Sequence, residues 1–240
     1  DVTKYYRNDT QFYATILDKN GNTVKNTVVR MNINGVFYER TTNGQGIVKL
    51  NLNLVPNTYI LTVTNPSTSE MATSIVKILP RLVENHDLVK YYRNASRYSV
   101  KVLSKTGNPE VGKTVTFNIN GVFYYRVTNS DGVASININL EPKTYIITAE
   151  YDGSRVSNKI TVLNILKTND LIKRYGTSSP FTATLLDGNG KAYPNQVIKF
   201  NINGVFYERI TNANGVASLN INLQAGKYII TSTFNGLNVA

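Results

Sequence analysis

The chain has 240 residues, a formal net charge of +11 and no cysteine. Without cysteine it forms no disulfide bond and no thiolate metal site. The positive charge favours an acidic partner, but Lys and Arg are scattered along the chain without a basic run or an RNA-binding signature. An apolar run of about 18 residues, as a membrane-spanning helix needs, is also missing. We therefore expect neither nucleic-acid binding nor membrane insertion within this segment.

A nine-residue segment occurs three times with few changes, at residues 32–40, 118–126 and 201–209. Recurrence at a nearly constant period indicates one folding unit that is copied three times. We place the repeats at residues 1–82, 83–166 and 167–240, and the third ends before a last strand that the other two have. Each unit is small for a domain but large enough to fold alone.

Repeat 1 reads as a series of short strands. It opens with an edge-like strand at residues 1–6. In the next strand Phe12, Ala14 and Ile16 lie on one face and the residues between them on the other, a period of two that is typical of a half-buried strand. Further strands are predicted over 47–54, 59–63 and 74–79, and no segment has helical periodicity. The predicted core consists of Phe12, Ala14, Ile16, Ile33, Leu50, Leu52, Tyr59 and Leu61.

The nine-residue segment contains a hairpin signal, because Asn34 and Gly35 both tolerate the positive φ that a two-residue type I′ turn demands. That turn pairs Asn32 with Phe37 and places the phenylalanine on the solvent face. A bulged turn would shift the register by one residue and bury the phenylalanine instead. We expect burial, because three exposed phenylalanines would favour aggregation; the residues concerned are Phe37, Phe123 and Phe206.

The same order of strands recurs in the other repeats, where the first strand is predicted at 88–92 and at 171–175. About seven short strands in 80 residues, separated by turn signals, are typical of an immunoglobulin-like antiparallel β-sandwich. The predicted fold is therefore all-β, with three tandem Ig-like sandwiches arranged as an elongated rod. The linkers, 80–86 and 164–169, are short and not rich in glycine, so we expect restrained neighbours and a monomer.

Each repeat also has a loop that closes onto a tyrosine at the head of a strand. This is the layout of a tyrosine corner, in which the hydroxyl bonds back to nearby backbone. We assign a structural role to these residues, Tyr59, Tyr145 and Tyr228.

The run T-V-T-F-N-I-N-G-V-F-Y-x-R, followed by T-N-x-x-G-V-A-S-I-N-I-N-L-x-P and T-Y-I-I-T-A, resembles the Ig-like repeats of adhesin-like surface proteins of methanogenic archaea. Those repeats are related to bacterial Ig-like surface modules. The resemblance covers all three repeats. It implies secreted, cell-wall-associated proteins built as long tandem arrays, and it supplies no catalytic residue and no cofactor.

Three further sets of equivalent residues are candidates for chemistry. A first-strand lysine either forms a cross-link with a last-strand Asn such as Asn158 or, as we prefer, protects an edge strand. An aspartate opens each repeat, but calcium takes six to eight oxygen ligands and other acids are few, so no metal site is expected. Two asparagines lie in glycosylation sequons within predicted surface turns. The sets are Lys4, Lys90 and Lys173; Asp1, Asp87 and Asp170; and Asn8 and Asn94.

The candidate ligand face consists of outward-facing asparagines at strand positions where threonine is more usual. They are Asn32, Asn51, Asn53, Asn118, Asn137, Asn139, Asn201, Asn220 and Asn222. A basic face rich in Tyr and Asn suits a cell-wall polymer, or a glycan or protein on a host or partner cell.

No base, nucleophile or metal cluster stands out, so we expect no enzyme activity. The leading interpretation is an extracellular, cell-surface stalk segment of an adhesin, which spaces or presents adhesive surface. The alternative is a carbohydrate- or cell-wall-polymer-binding module. The sequence does not decide whether the repeats bind a ligand or act only as spacers.

Overall fold

The computed structural model describes residues 1–240 and is built from strands and turns without a helix. Its fold is all-β, with tandem Ig-like sandwiches along the chain. Each repeat supplies a separate buried apolar cluster that lies between two sheets. No helix capable of crossing a bilayer is present.

Repeat 1 contains seven strands: β1 (Val2–Tyr5), β2 (Gln11–Thr15), β3 (Val28–Ile33), β4 (Val36–Thr41), β5 (Ile47–Asn51), β6 (Asn57–Thr64) and β7 (Met71–Leu79). One sheet has the order β1-β7-β6-β3-β4, and the other pairs β2 with β5. The pairing of β1 with β7 is parallel, and the other pairs are antiparallel.

Repeat 2 contains eight strands: β8 (Leu82–Val83), β9 (Leu88–Tyr91), β10 (Arg97–Val102), β11 (Thr114–Ile119), β12 (Val122–Val127), β13 (Val133–Asn137), β14 (Thr144–Tyr151) and β15 (Ser154–Leu163). Its sheets have the orders β12-β11-β14-β15-β9 and β13-β10-β8. The short strand β8 thus adds a third strand to the smaller sheet.

Repeat 3 contains β16 (Leu166–Thr168), β17 (Phe181–Leu185), β18 (Val197–Ile202), β19 (Val205–Ile210), β20 (Val216–Leu219), β21 (Ile230–Phe234) and β22 (Leu237–Val239). The sheets have the orders β19-β18-β21-β22 and β16-β17-β20. The first strand predicted at 171–175 is missing. Its counterpart β9 pairs in parallel with Ile160–Leu163, and the positions that correspond to this partner lie beyond residue 240.

The Asn-Gly hairpin has the register of a two-residue turn. Asn34 and Gly35 have φ values of 54° and 80°, as a type I′ turn requires. Asn32 pairs with Phe37, and the equivalent pairs form in the other two repeats. The expectation that the phenylalanines are buried is therefore wrong: Phe37 is 57% exposed, Phe123 59% and Phe206 58%.

The predicted core of repeat 1 lies inside the sandwich, although Ala14 and Tyr59 are only partly buried. Leu50 comes from the smaller sheet and Leu52 directly follows its strand β5, whereas Ile33 and Leu61 come from the larger sheet. The sequence reading omitted six further buried members, Val29, Met31, Val48, Val63, Val76 and Ile78. Each faces inward by the same alternation along its strand.

Residues close to the ends of repeats 1 and 2 pack in the core of the repeat that follows. Leu82 belongs to the core of repeat 2 and pairs with Val102, and Leu166 belongs to the core of repeat 3 and pairs with Leu185. The segments expected to be linkers therefore supply a first strand to the following sandwich. Only Pro80 and Arg81 remain between the paired residues of repeats 1 and 2.

Candidate functional site

Neighbouring repeats contact each other through a turn that follows β1 in repeat 1 and β9 in repeat 2. Its sequence is Tyr-Tyr-Arg-Asn at residues 5–8 and again at 91–94. The arginine of each turn has a positive φ, 62° at Arg7 and 60° at Arg93. We call the contact between repeats 1 and 2 junction 1, and that between repeats 2 and 3 junction 2.

In both junctions a tyrosine ring lies against a glycine of the next repeat. A Cβ placed on Gly107 would lie 2.4 Å from Cε2 of Tyr5, and one on Gly190 would lie 2.4 Å from Cε2 of Tyr91. Real Cβ contacts are essentially never that short, so a side chain at either glycine would displace the ring. The equivalent Gly21 has open space around it.

The asparagine of each turn binds the same loop. Nδ2 of Asn8 donates to the carbonyl oxygen of Lys105 at 2.8 Å, and Nδ2 of Asn94 donates to that of Gly188 at 2.6 Å. Their Oδ1 atoms accept backbone N–H groups from Thr10 and Ser96, which holds each side chain in place. These are the two sequon asparagines, so the amide that a glycan would use already contributes to a junction.

The arginine of each turn binds the last hairpin of the next repeat. Arg7 forms an ion pair with Asp152 at 2.5 Å, and Nη2 of Arg93 donates to the carbonyl oxygen of Asn235 at 3.0 Å. Gly153, next to Asp152, also lies against the Arg7 guanidinium, since a Cβ there would be 2.9 Å from Nη2. The two junctions therefore share three contacts made by equivalent residues.

Junction 1 has a charged cluster that junction 2 lacks. Arg81 is 2% exposed and donates to Asp152 at 2.6 Å and to the carbonyl oxygen of Leu103 at 2.8 Å. It also lies 3.5 Å from Glu110, which accepts a hydrogen bond from the hydroxyl of Tyr151. Junction 2 has Ile165 in place of Arg81, Asn235 in place of Asp152, Leu186 in place of Leu103, Tyr193 in place of Glu110 and Phe234 in place of Tyr151. Tyr193 and Phe234 form an edge-to-face aromatic pair.

The charged cluster lowers the pKa of the Asp152 carboxyl below its ordinary value near 3.8. The hydrogen bond from Arg81 is the largest cause, and the positive charge of Arg7 acts in the same direction. The Tyr151 hydroxyl responds in the opposite way, since burial and the hydrogen bond to Glu110 raise its pKa to about 12. Both shifts favour the protonation states that hold junction 1 together near neutral pH.

The junctions lie at opposite ends of repeat 2. The hairpin of Asp152 and Gly153 precedes β15, and it contacts repeat 1. Tyr91 pairs with Leu163 at the far end of β15, and the turn after Tyr91 contacts repeat 3. The ten residues of β15 therefore separate the two contacts. Sequence reasoning missed these junctions, although the repeated Tyr-Tyr-Arg-Asn segment was a usable signal.

The predicted corner tyrosines each make one hydrogen bond back to the chain. The hydroxyl donates to the carbonyl oxygen four residues upstream at 2.9 Å in every repeat. The pairs are Tyr59 with Val55, Tyr145 with Glu141, and Tyr228 with Gln224. This bond fixes the loop that leads into the strand, as in a tyrosine corner.

The first-strand lysines do not guard an exposed edge. Lys4 is 5% exposed, and its Nζ donates to the carbonyl oxygens of Thr10 and Leu52, both at 3.0 Å. Lys90 and Lys173 make the equivalent pairs of bonds. The expected protective role is therefore wrong for Lys4 and Lys90, whose side chains are buried although both lie on edge strands. Burial lowers the pKa of Lys4 and Lys90.

The cross-link and calcium candidates have other partners. Oδ1 of Asn158 accepts a hydrogen bond from the Tyr98 hydroxyl at 2.6 Å, while Lys90 is held by backbone carbonyls. Asp1 and Asp87 accept backbone N–H groups from Ile75 and Lys159 in the last strands. These aspartates therefore tie the entrance of a repeat to its last strand.

The candidate ligand face separates into two surfaces. Asn32, Asn118 and Asn201 lie on the larger sheet, each paired with an exposed phenylalanine. The other six asparagines lie on or directly after strands of the smaller sheet, on the far side of the sandwich. A single ligand on one face cannot contact both groups. We call the first surface, with its phenylalanines, the outer face.

Comparison with protein-family models and with curated protein sequences finds no match. Among solved structures, the I9–I11 tandem of titin aligns over 98% of this chain and 92% of its own, at 14% identity and a TM-score of 0.38. Invasin, described as a bacterial integrin-binding protein, aligns over 97% and 55%, at 14% identity and a TM-score of 0.30. InvD of Yersinia pseudotuberculosis aligns over 96% and 90%, at 15% identity and a TM-score of 0.29.

Proposed function

We propose that this chain is a non-catalytic stalk segment of an extracellular, cell-surface adhesin, folded as three domains in a rod. The supporting observation is the position of the two junctions, at opposite ends of β15. A ten-residue strand is about 34 Å long. Repeats 1 and 3 therefore attach far apart on repeat 2, which favours a linear arrangement over a cluster.

The shared contacts support restrained joints. A ring against a glycine, an amide on a carbonyl and an arginine on a hairpin fix each junction at three separate points. Interfaces between domains of one chain are often small enough to permit relative motion. Three equivalent anchors in both junctions reduce that motion, which is what a spacer that presents adhesive surface requires.

The proposed non-catalytic role is supported by the structural uses of the repeated residues. Turns, cores, corner tyrosines, buried lysines and junctions account for the residues that the repeats share. The same residues support the resemblance to Ig-like repeats of surface adhesins. We place the domain boundaries at Pro80 and Asn164, shortly before the first core residues of the next repeat, Leu82 and Ile165.

Backbone ¹⁵N relaxation of the whole chain tests the stalk proposal. We expect the amides of all three repeats to fit one elongated rotational diffusion tensor. Arg7→Ala with Asn8→Ala should decouple repeat 1 while the other two still tumble together. Three separate, faster correlation times, as for beads on flexible linkers, would contradict the proposal.

A second function, binding of a surface glycan, is favoured by one observation. The outer face of repeat 2 carries a shallow cavity beside Phe123, and the stalk proposal gives that cavity no role.

A further inference from the structure

The outer face of repeat 2 differs from those of repeats 1 and 3. A cavity of about 190 Å³ opens there beside the Phe123 ring. Its lining residues are Thr116, Asn118, Phe123, Thr148, Glu150 and Arg155. All of them belong to repeat 2, so the cavity exists whether or not the repeats form a rod.

The difference arises at one strand position, where repeats 1 and 3 carry a cation and repeat 2 carries a threonine. The guanidinium of Arg30 lies 3.9 Å from the centre of the Phe37 ring, and Nζ of Lys199 lies 4.3 Å from that of Phe206. Thr116 is the equivalent residue and is too short to cover Phe123. Only in repeat 2 is the aromatic ring free of a cation–π partner from this position.

Repeat 2 also places charged groups beside the uncovered ring. Glu150 and Arg155 are cross-strand neighbours and form an ion pair at 2.7 Å. The equivalent pair is Thr64 and Met71 in repeat 1 and Thr233 and Asn238 in repeat 3. The combination of a bare ring, an amide and a carboxylate–guanidinium pair therefore occurs once in the chain.

We propose that repeat 2 binds a neutral pyranose unit of a polysaccharide chain. A sugar ring has an apolar C–H face, which the electron-rich face of Phe123 attracts. Its perimeter carries hydroxyl groups, for which Asn118 offers a donor and an acceptor, Glu150 an acceptor and Arg155 donors. A few polar groups placed around an apolar surface are the usual composition of a small-molecule site.

The size and charge of the cavity favour this occupant. Its volume is below the about 300–1,000 Å³ that encloses a whole drug-sized ligand, so one ring of a longer chain fits better than a buried molecule. The Glu150–Arg155 pair is neutral in sum, which favours a neutral sugar over a polyanion. The face is open to solvent, since Glu150 and Arg155 are 46% and 67% exposed, which suits a polymer that extends past the site.

Titration of the ¹⁵N-labelled chain with cellohexaose, mannohexaose, chitohexaose and a galactan oligosaccharide tests the proposal. We expect at least one of them to shift the amides of Asn118, Phe123 and Thr148. Phe123→Ala and Thr116→Arg, the latter importing the residue of repeat 1, should each weaken binding by about tenfold or more. Phe37→Ala is the matched control and should leave the affinity unchanged.

A gain of function provides the converse test. Arg30→Thr, Thr64→Glu and Met71→Arg together give repeat 1 the lining of repeat 2, so the number of bound oligosaccharides per chain should rise from one to two. The proposal is overturned if none of the four probes moves the repeat 2 amides. Equal weakening by Phe37→Ala and Phe123→Ala would also overturn it, as would binding confined to anionic oligosaccharides and insensitive to Phe123→Ala. Unchanged amide spectra outside the cavity show that each variant remains folded.

Discussion

Replacement of Gly107 by alanine probes the packing of junction 1 against a matched control. Gly107 and Gly21 occupy the same turn in repeats 2 and 1, with φ values of 89° and 83°. Alanine in a left-handed conformation costs about 1–2 kcal/mol at either site. Only Gly107 faces a neighbour, because its new Cβ would lie 2.4 Å from Tyr5.

The steric conflict adds a second contribution at Gly107. Overpacking of a well-packed site costs about 1–3 kcal/mol, and the lower end applies if the half-buried Tyr5 ring swings outward. We therefore expect Gly107→Ala to destabilise repeat 2 by about 2–5 kcal/mol and Gly21→Ala to destabilise repeat 1 by the backbone contribution alone. Urea titrations monitored by the amide resonances of each repeat provide both values.

A double-mutant cycle isolates the ring. In a Tyr5→Ala background the conflict disappears, so Gly107→Ala should then cost no more than Gly21→Ala. If Gly107→Ala costs the same with and without Tyr5, the ring does not lie on Gly107 in solution. The account of the junctions would then be wrong in its central contact.

Three further predictions concern single residues. Arg81→Ile introduces the residue that junction 2 has at this position. It should destabilise repeat 2 by about 2–4 kcal/mol, because it removes a buried guanidinium together with its charge-assisted hydrogen bonds. Adding Glu110→Tyr, Tyr151→Phe and Asp152→Asn, the rest of the junction 2 set, should recover most of that loss. Because the pKa of Asp152 is depressed, the carboxylate stabilises junction 1 above its ordinary pKa, and this stabilisation is lost as the pH falls through the lowered pKa. Junction 1 should therefore loosen in acid before junction 2, where the equivalent residue, Asn235, does not titrate. Leu52→Ala, at a site 3% exposed, should destabilise repeat 1 by about 2–5 kcal/mol.

Each of these has a measurement and a contrary outcome. Urea titration compares Arg81→Ile with Lys101→Met, which breaks a more exposed ion pair with Glu84 and should cost at most about 1 kcal/mol; equal losses would contradict the Arg81 estimate. Amide relaxation follows both junctions as the pH is lowered from 7 to below the depressed pKa of Asp152, and simultaneous loosening of both would contradict the role of Asp152. For Leu52→Ala, an equal loss of stability in repeat 3 would contradict separate cores.

Local patterns were sufficient to predict most of the strands and half of the buried core of repeat 1, but not the register of the hairpin. Asn34-Gly35 suits both a two-residue turn, which pairs Asn32 with Phe37, and a bulged turn, which shifts that pairing by one residue, and only the structure distinguishes them. Phe37 was wrongly expected to be buried. Arg30 lies two residues before Asn32 on the same face of the sheet and covers the ring, which the general expectation against exposed aromatic side chains did not include. The inward side chain of Lys4 depends on carbonyl groups of Thr10 and Leu52, and the latter is remote in sequence.

The junctions and the cavity lay beyond sequence reasoning for a related reason. Arg7 and Asp152 belong to different repeats, and their contact depends on how one sandwich sits on the next. The cavity depends on which cross-strand neighbours surround Phe123, so it required the register of β14 with β15 as well as that of the hairpin. Alignment of the three repeats nevertheless shows Thr116 in repeat 2 at the position where repeats 1 and 3 have the cations Arg30 and Lys199. This difference can be seen from the sequence alone.

Small-angle X-ray scattering of the whole chain tests the stalk most directly. Three sandwiches of about 34 Å each, joined end to end, give a maximum dimension near 100 Å. We expect the mass from scattering to be that of a monomer. The distance distribution should be skewed, with a single peak near the width of one sandwich and a long tail. A symmetric distribution that ends well short of 100 Å would show the three repeats clustered, and would contradict both the rod and the spacer function built on it.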